Sequence, residues 1–330
     1  MENAVKRIGV LTSGGDAPGM NAAVRSVVRS ALYRGIECIG IRRGYNGLIT
    51  GDIVRLDEKG VAHIINRGGT ILYTARSDEF RTLEGQKKAA SVCKLLGLDG
   101  IVGIGGDGTF RGLVELSKQG ISVVGVPATI DNDIVCTDYT LGFDTAANTA
   151  VEAIDRLRDT MQSHERCSVV EVMGRNAGHL ALYTGLAAGA SAVLLPERPV
   201  NFEKDVLEVI RRGCIRGRRH HIVVIAEGVG HATTYAKRIQ DATGIEARVT
   251  VLGYIQRGGV PSARDRASAG LMGVHALDCL RRYDEAQAVV IQKGDIAHLP
   301  LHEANGMVRS LDETMSTICN RVDGSWYWDR

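Results

Sequence analysis

Two acidic residues separated by one position form the most chemically specific segment of the sequence. Asp131 and Asp133 belong to Thr129–Asp133 (TIDND), which follows the apolar run Val123–Val126. Side chains at i and i+2 of an extended segment point the same way, so both carboxylates can face one substrate. Transfer of a phosphoryl group to a hydroxyl needs a carboxylate that accepts the hydroxyl proton. The alternative is an Asx-turn, in which the carboxylates cap backbone N–H groups.

Two glycine-rich segments, Gly14-Gly15 and Gly105–Thr109 (GGDGT), also follow apolar runs. Glycine lets backbone N–H groups approach anionic oxygens, and a helix N-terminus favours negative charge, so both are candidate phosphate loops. Tight strand-to-helix turns are the alternative, since neither is a Walker A loop. Asp107 favours the phosphate loop, because a carboxylate there needs a bridging cation, and Mg²⁺ takes one or two protein carboxylates. We predict that Asp107 binds Mg²⁺.

Four arginines lie beside predicted strand ends: Arg166, Arg175, Arg248 and Arg257. Arginine offers bidentate geometry to phosphate, and the charge on a moving phosphoryl group needs a cation. Any one of them could be an ordinary surface residue. The basic run Arg216–His221 predicts either an exposed loop or a nucleic-acid patch, and the balanced total charge disfavours the patch.

The elements that must position these residues alternate between apolar runs and helical segments. In Asn148–Met161, apolar residues recur at helical spacing while charged residues take the other side, which predicts a helix with one buried face. Most runs are continuously apolar, as expected of parallel strands covered on both faces. The fold class predicted is α/β, with two doubly wound, Rossmann-like units, and ligands should bind at the carboxyl ends of the strands. The runs are Ile8–Leu11, Cys38–Ile41, Gly100–Ile104, Val123–Val126, Val169–Met173, Val193–Leu195, Ile222–Ala226, Val249–Leu252 and Val289–Ile291.

Composition limits the class of protein. With 330 residues, two packed domains are expected instead of one. A formal net charge of +2 argues against a nucleic-acid or membrane-surface protein. The seven cysteines include no CxxC pair, and we expect no histidine near them at metal-ligand spacing; their pattern favours reduced thiols. No signal-peptide pattern or long apolar run is evident, so a soluble, cytoplasmic protein is expected.

At this point the motifs closely resemble those of bacterial ATP-dependent 6-phosphofructokinases. The resemblance runs from about Ile8 to about Gln292 and is weaker in the last thirty or so residues, which contain Trp326–Trp328. GGDGT alone is also similar to loops of NAD kinases and lipid kinases, but the combination in this order is specific. The matching segments are Gly9–Arg25, Gly105–Thr109, Thr129–Asp133, Gly142–Thr145, Glu171–Arg175 and Arg248–Gly259.

The resemblance implies roles for individual residues. Asp131 would take the proton of the sugar hydroxyl, Asp133 would support it near the metal, and Thr129 and Arg175 would stabilise the transferring phosphoryl group. ATP would contact Gly15, Arg76, Ser77, Gly106, Asp107, Gly108 and Thr109, with Mg²⁺ on Asp107. Fructose 6-phosphate would contact Thr129, Asp131, Arg166, Met173, Gly174, Arg175, Glu227, Arg248, Tyr254 and Arg257.

The resemblance also implies an assembly and a domain division. Arg166 and Arg248 would reach in from a neighbouring subunit of a homotetramer. An ATP-binding domain would comprise residues 1–142 and 260–309, and a fructose 6-phosphate-binding domain residues 143–259 and 310–330, with the active site between them.

Two positions bear on whether the phosphoryl donor is ATP or pyrophosphate. Relatives that use pyrophosphate carry Asp where Gly108 stands and Lys where Ala128 stands. A carboxylate at position 108 would repel the α-phosphate of a nucleotide, so Gly108 favours ATP. Ala128 is one methyl larger than the glycine usual in bacterial ATP enzymes.

Three positions depart from the family pattern. Tyr254 replaces a histidine that contacts the sugar phosphate, Ser191 replaces an effector-site Glu, and Glu58 replaces an effector-site Arg. The effector, ADP or phosphoenolpyruvate in relatives, would meet the basic residues Arg25, Arg29, Arg158, Arg216, Arg218 and Arg219. Two other functions remain open: a kinase for NAD or a lipid, and a sugar-phosphate sensor without catalysis.

Overall fold

The computed structural model describes residues 5–304 and 309–322. Met1–Ala4 and the aromatic tail Trp326–Trp328 therefore lie outside the described residues. The chain divides into two compact units. The first comprises residues 1–129, 133–145 and 257–309, and the second comprises residues 130–132, 146–256 and 310–330.

The first unit is built on a seven-stranded sheet. Its strands are β1 (Arg7–Ser13), β2 (Glu37–Ile41), β3 (Ile53–Leu56), β4 (Gly100–Gly105), β5 (Val123–Pro127), β10 (Gln287–Gln292) and β11 (Asp295–Pro300). They lie in the order β11-β10-β5-β4-β1-β2-β3. Strands β3 and β11 pair antiparallel to their neighbours at the two edges, and the other strands are parallel. The helices are α1 (Met20–Tyr33), α2 (Gly44–Thr50), α3 (Leu83–Leu95), α4 (Asp107–Ser117) and α9 (Ala263–Arg282).

The second unit has a four-stranded parallel sheet formed by β6 (Cys167–Val172), β7 (Ala192–Leu194), β8 (His221–Ala226) and β9 (Ala247–Val251). The strands lie in the order β7-β8-β6-β9. Its helices are α6 (His179–Ala187), α7 (Glu208–Ile215), α8 (Ala232–Thr243) and α10 (Glu313–Val322), together with α5 (Phe143–His164), whose first turn belongs to the first unit.

Alternate residues of the central strands feed two apolar layers in the second unit. Val170 of β6 packs with residues of α5 and α6, whereas Val169 packs with residues of α7 and α8. Every residue of β8 is buried, which is why a parallel strand covered on both faces has a continuously apolar sequence. In the first unit α1 packs on α9, and a separate apolar layer joins α2, α3 and α4 to the sheet.

The α/β fold class and the Asn148–Met161 helix are confirmed, the latter as part of α5. Two edge strands, β3 and β11, were not predicted, and both are antiparallel. Both have half-exposed side chains, so their sequences lack the continuous apolar pattern of the central strands. Among the described residues, no helix is both long and apolar enough to cross a membrane.

Candidate active site

Three adjacent parallel strands end together at one edge of the first sheet. Ser13 of β1, Gly105 of β4 and Pro127 of β5 are paired across the strands. The two glycine-rich segments and Thr129 therefore begin side by side, at the edge where ligands bind in α/β sheets. This register brings the predicted phosphate loops together.

The loop after β4 is held close to the loop after β1. The Thr109 hydroxyl donates a 2.9 Å hydrogen bond to the Ser13 carbonyl, and the Tyr45 hydroxyl donates one of 2.5 Å to the Thr109 carbonyl. A Cβ on Gly105 would lie 2.2 Å from Thr109 Oγ1 and 2.4 Å from the Ser13 carbonyl oxygen. Glycine is therefore required at 105 by backbone proximity, which accounts for one glycine of the motif without any ligand.

Asp107 is the first residue of α4, directly after the N-cap residue Gly106. Its carboxylate pairs with Arg111 one turn later, and its side chain is 42% exposed. A Cβ on Gly108 would meet nothing within 4 Å, so there is open space beside the carboxylate. One accessible carboxylate at a helix N-terminus fits Mg²⁺, which keeps several waters and takes phosphate oxygens as further ligands.

Arg257 lies against the loop after β1. Its Nη1 donates a 3.0 Å hydrogen bond to the Asp16 carbonyl, and a Cβ on Gly15 would lie 2.2 Å from the same nitrogen. Arg76 is exposed, and the neighbouring Ser77 Oγ accepts a 3.3 Å hydrogen bond from the Phe80 N–H.

The TIDND segment follows β5 and is mostly buried. Thr129, Asp131 and Asn132 are each less than 10% exposed, whereas Asp133 is half-buried. The Thr140 hydroxyl donates a 2.6 Å hydrogen bond to the Thr129 carbonyl. Asn132 has φ of 50°, a left-handed conformation that is uncommon outside glycine and is concentrated at turns and functional sites.

The second sheet has its own polar carboxyl edge. β6 and β8 end in register, since Val172 pairs with Ala226. Oε1 of Glu227, after β8, accepts hydrogen bonds from the backbone N–H groups of Gly174 (3.2 Å) and Arg175 (2.6 Å), after β6. Arg175 has φ of 56°, so this carboxylate holds a strained turn.

Sequence reasoning missed one residue of this edge, Gln256, whose buried side chain accepts a 3.4 Å hydrogen bond from the Met173 N–H. The nearby Tyr254 is 81% exposed. No sequence pattern marks Gln256, because its importance depends on a backbone group that lies 83 residues earlier in the chain.

Arg166 and Arg248 lie at the opposite end of the second sheet. Arg166 precedes β6, Arg248 is the second residue of β9, and both pair with Glu246. The six residues of β6 separate them from Met173 and Arg175, a distance of roughly 20 Å at the usual rise of a strand. Within one chain these two arginines therefore do not join the Glu227 edge.

Several of the predicted effector residues form ion pairs or hydrogen bonds with other residues of the same chain. Arg29 of α1 pairs with Glu58 at 2.7 Å, Arg219 pairs with Glu165 at 2.7 Å, and Arg158 donates to the Ala188 carbonyl. Arg25 is half-buried on α1, and Arg216, Arg218 and Arg219 follow α7 in an exposed turn.

Ser191 occupies a basic environment in the second unit. Its hydroxyl accepts a 3.2 Å hydrogen bond from Arg218 Nη1 and lies 3.4 Å from Nδ1 of His221. Burial, together with a smaller effect of the positive charge of Arg218, lowers the pKa of His221 to about 4. His221 is therefore neutral near pH 7, and Arg218 supplies the positive charge here.

The fold and these loops define an α/β protein that presents glycine loops and paired acidic residues at the carboxyl edges of its sheets. The chain belongs to the phosphofructokinase family, whose model, described as "Phosphofructokinase", matches residues 7–280. It is 52% identical over 314 residues to the ATP-dependent 6-phosphofructokinase of Clostridium botulinum strain Loch Maree, covering 95% of this chain and 98% of the relative.

Two further relatives extend this result. ATP-dependent 6-phosphofructokinase 1 of Clostridium perfringens is 51% identical over 320 residues, with 97% of this chain and 100% of the relative covered. The phosphofructokinase structure from Saccharomyces cerevisiae superposes with a TM-score of 0.85 at 33% identity, over 97% of this chain. This chain spans 47% of the length of the yeast chain.

Proposed function

We propose that this protein transfers the γ-phosphate of MgATP to the 1-hydroxyl of fructose 6-phosphate, giving fructose 1,6-bisphosphate and ADP, the committed step of glycolysis. The observation that carries the proposal is the common strand edge of the first unit. There the GGDGT loop, with open space at Gly108, begins beside the strand that leads into TIDND. The names of the relatives, which cover nearly the whole chain, support the same reaction.

In this reaction the 1-hydroxyl oxygen attacks the γ-phosphorus, its proton passes to the Asp131 carboxylate, and ADP leaves. Arg175 and Thr129 donate to the transferring phosphoryl group, whose charge is spread over three oxygens. Asp107, supported by Asp133, would hold Mg²⁺, which would neutralise charge on the phosphates. The first unit binds ATP through Gly15, Arg76, Ser77, Gly106, Gly108 and Thr109.

The sugar phosphate binds through Met173, Gly174, Glu227 and Tyr254, together with Arg257. Arg166 and Arg248 lie roughly one strand length from Met173, so they serve a neighbouring subunit's site and not their own. This arrangement requires an oligomer, and we propose the family's homotetramer. The buried thiols Cys38, Cys93, Cys167 and Cys279 fit a reducing compartment, which we propose is the cytoplasm.

The proposal is tested by a coupled assay for fructose 1,6-bisphosphate, with ATP or pyrophosphate as donor. We expect turnover with ATP, and at least tenfold slower turnover with pyrophosphate. A preference for pyrophosphate would reject ATP as the donor. Phosphorylation of NAD but not of the sugar would favour an NAD kinase, and sugar binding without turnover would favour a sensor.

A further inference from the structure

A cluster of three soft metal-ligand side chains lies in the first unit, apart from every residue assigned above. It comprises His275 and Cys279 of α9 and His298 of β11. Their ligand atoms all lie within 4.8 Å of one another. His275 Nε2 and His298 Nδ1 are 2.9 Å apart, so one ring nitrogen of each imidazole already faces the other.

We expected no histidine near a cysteine at metal-ligand spacing, and that prediction is wrong for His275 and Cys279. His275 and Cys279 are four residues apart on a helix, so they share one face one turn apart. His298 comes 19 residues later in the sequence. The β10–β11 hairpin, in which His298 pairs with Val289, returns the chain to α9 and supplies the third group.

Burial also fits a metal site. Cys279 is 2% exposed, whereas both histidines are half-buried, so the thiol is enclosed while the site has a route from solvent.

We propose that His275, Cys279 and His298 bind a divalent soft or borderline metal ion, with Zn²⁺ the best match. Nitrogen and sulfur ligands lie about 2.0–2.3 Å from Zn²⁺, so ligand atoms of a tetrahedral site lie roughly 3.3–3.6 Å apart. The two imidazole nitrogens at 2.9 Å need only move slightly apart, the sulfur lies within 4.8 Å of both, and water completes the set. The Cys279 thiol proton leaves to solvent as the Zn–S bond forms. In the hydrogen bond between the two imidazoles, one of the facing nitrogens carries a proton. As the metal binds, that imidazole changes to the tautomer protonated on its other ring nitrogen, which leaves both facing nitrogens available to the metal.

Such an ion would join helix α9 to the edge strand β11. Strand β11 contacts the sheet only through β10, and its side chains are largely half-exposed. A bond between the strand and the helix would therefore hold the least protected edge of the sheet. The site differs in kind from the Asp107 site, because Mg²⁺ prefers oxygen ligands and Zn²⁺ accepts nitrogen and sulfur.

Titration of the purified full chain with Co²⁺, used as a spectroscopic substitute for Zn²⁺, tests the site without measuring catalysis. We expect one thiolate-to-cobalt charge-transfer band per chain and strong visible bands of tetrahedral Co²⁺. Both should disappear on addition of Zn²⁺ but persist in excess Mg²⁺. The charge-transfer band should be lost in Cys279→Ala, and the Co²⁺ affinity should fall at least tenfold in His298→Gln.

Cys214→Ser is the matched control, because the Cys214 sulfur contacts a single histidine, His221, at 3.6 Å. It should retain the wild-type spectrum. His298→Gln also guards against misfolding, since it replaces a half-buried group and leaves the buried cysteine intact. Absence of a charge-transfer band in the wild type, or its persistence in folded Cys279→Ala, would overturn the proposal. Loss of the band in Cys214→Ser alone would place the metal elsewhere and would also overturn it.

Discussion

The guanidinium of Arg257 occupies the space beside Gly15, where a Cβ would lie 2.2 Å from Arg257 Nη1. The contact joins a residue assigned to the sugar phosphate with a residue assigned to ATP, and both belong to the first unit. The clashing atom is the end of a flexible side chain, so Arg257 can move aside. A substitution at Gly15 should therefore affect ligand binding more than folding.

We expect Gly15→Ala to raise the KM for fructose 6-phosphate about tenfold, since a charge-assisted hydrogen bond contributes roughly 1.5–3 kcal/mol. The melting temperature should change little. Steady-state kinetics and thermal unfolding measure the two effects. Gly258→Ala is the control, because a Cβ there meets nothing within 4 Å and its φ is not positive. If the KM for fructose 6-phosphate in Gly15→Ala equals that of the control, then Gly15 does not determine the position of Arg257.

Gly108 allows a test of donor choice without steric damage. A side chain at this position meets open space, so Gly108→Asp should fold. The new carboxylate repels the α-phosphate, and we expect kcat/KM for ATP to fall at least tenfold while the KM for the sugar changes little. Gly108→Asn, which is nearly the same size but neutral, separates charge from bulk. An equal loss of ATP use in both variants would contradict the charge argument.

Asp131→Asn should lower kcat by roughly 10²–10⁴-fold while leaving the fold and substrate binding intact, because a general base contributes about this much. Single-turnover kinetics measure the loss of rate, and binding isotherms for both substrates test whether binding is intact. Asp138→Asn is the control, since it makes the same change on an exposed carboxylate that accepts a hydrogen bond from the Lys293 N–H. A near-normal kcat in Asp131→Asn would remove this residue from the mechanism.

Tyr254 is exposed, so Tyr254→His should cost little stability. Protonated histidine donates a charge-assisted hydrogen bond to the 6-phosphate, roughly twice as strong as the neutral one from a phenol. We expect a lower KM for fructose 6-phosphate and little change for ATP. The decrease in the KM for fructose 6-phosphate should be larger at pH 6 than at pH 8, because an unperturbed histidine has a pKa of about 6.5 and is mostly protonated only at the lower pH. Tyr33→His, another exposed substitution, should change neither. An unchanged KM for the sugar at pH 6 would contradict the argument.

The sequence predicted the central strands well because a strand buried on both faces leaves a continuous apolar run, as in β8. It could not predict β11, whose half-exposed side chains carry no such run. The relation between Arg257 and Gly15 was also beyond sequence reasoning, because it depends on two loops 242 residues apart meeting in space. Gly105 is a case in which the sequence suggested more than was needed. Its motif predicted a phosphate loop, whereas close packing alone is enough to explain why this residue is a glycine.

Two departures from the family pattern acquire a structural meaning. Glu58 pairs with Arg29, so it neutralises one of the cations predicted to meet an effector, besides replacing another. Ser191 accepts a hydrogen bond from Arg218 but offers no carboxylate to the cation that an effector such as MgADP would bring. Both changes alter the charge that an anionic effector would meet.

Regulation should accordingly be weak. A ligand shifts an equilibrium between two states only by its difference in affinity for them, and the loss of one cation and one anion reduces that difference. We expect MgADP to change the KM for fructose 6-phosphate less than tenfold, and phosphoenolpyruvate to inhibit weakly or to activate, with salt-sensitive affinity.

Glu58→Ala should strengthen the effect of phosphoenolpyruvate by releasing Arg29, whereas Glu84→Ala, which removes an exposed carboxylate from an ion pair on α3, should not. Ser191→Glu should strengthen activation by MgADP, because a carboxylate there can meet the cation. Steady-state curves against the sugar, with and without each effector, decide between these outcomes. Tenfold or stronger activation of the wild type by MgADP, which corresponds to about 1.4 kcal/mol of coupling, would show that neither Ser191 nor Glu58 weakens regulation.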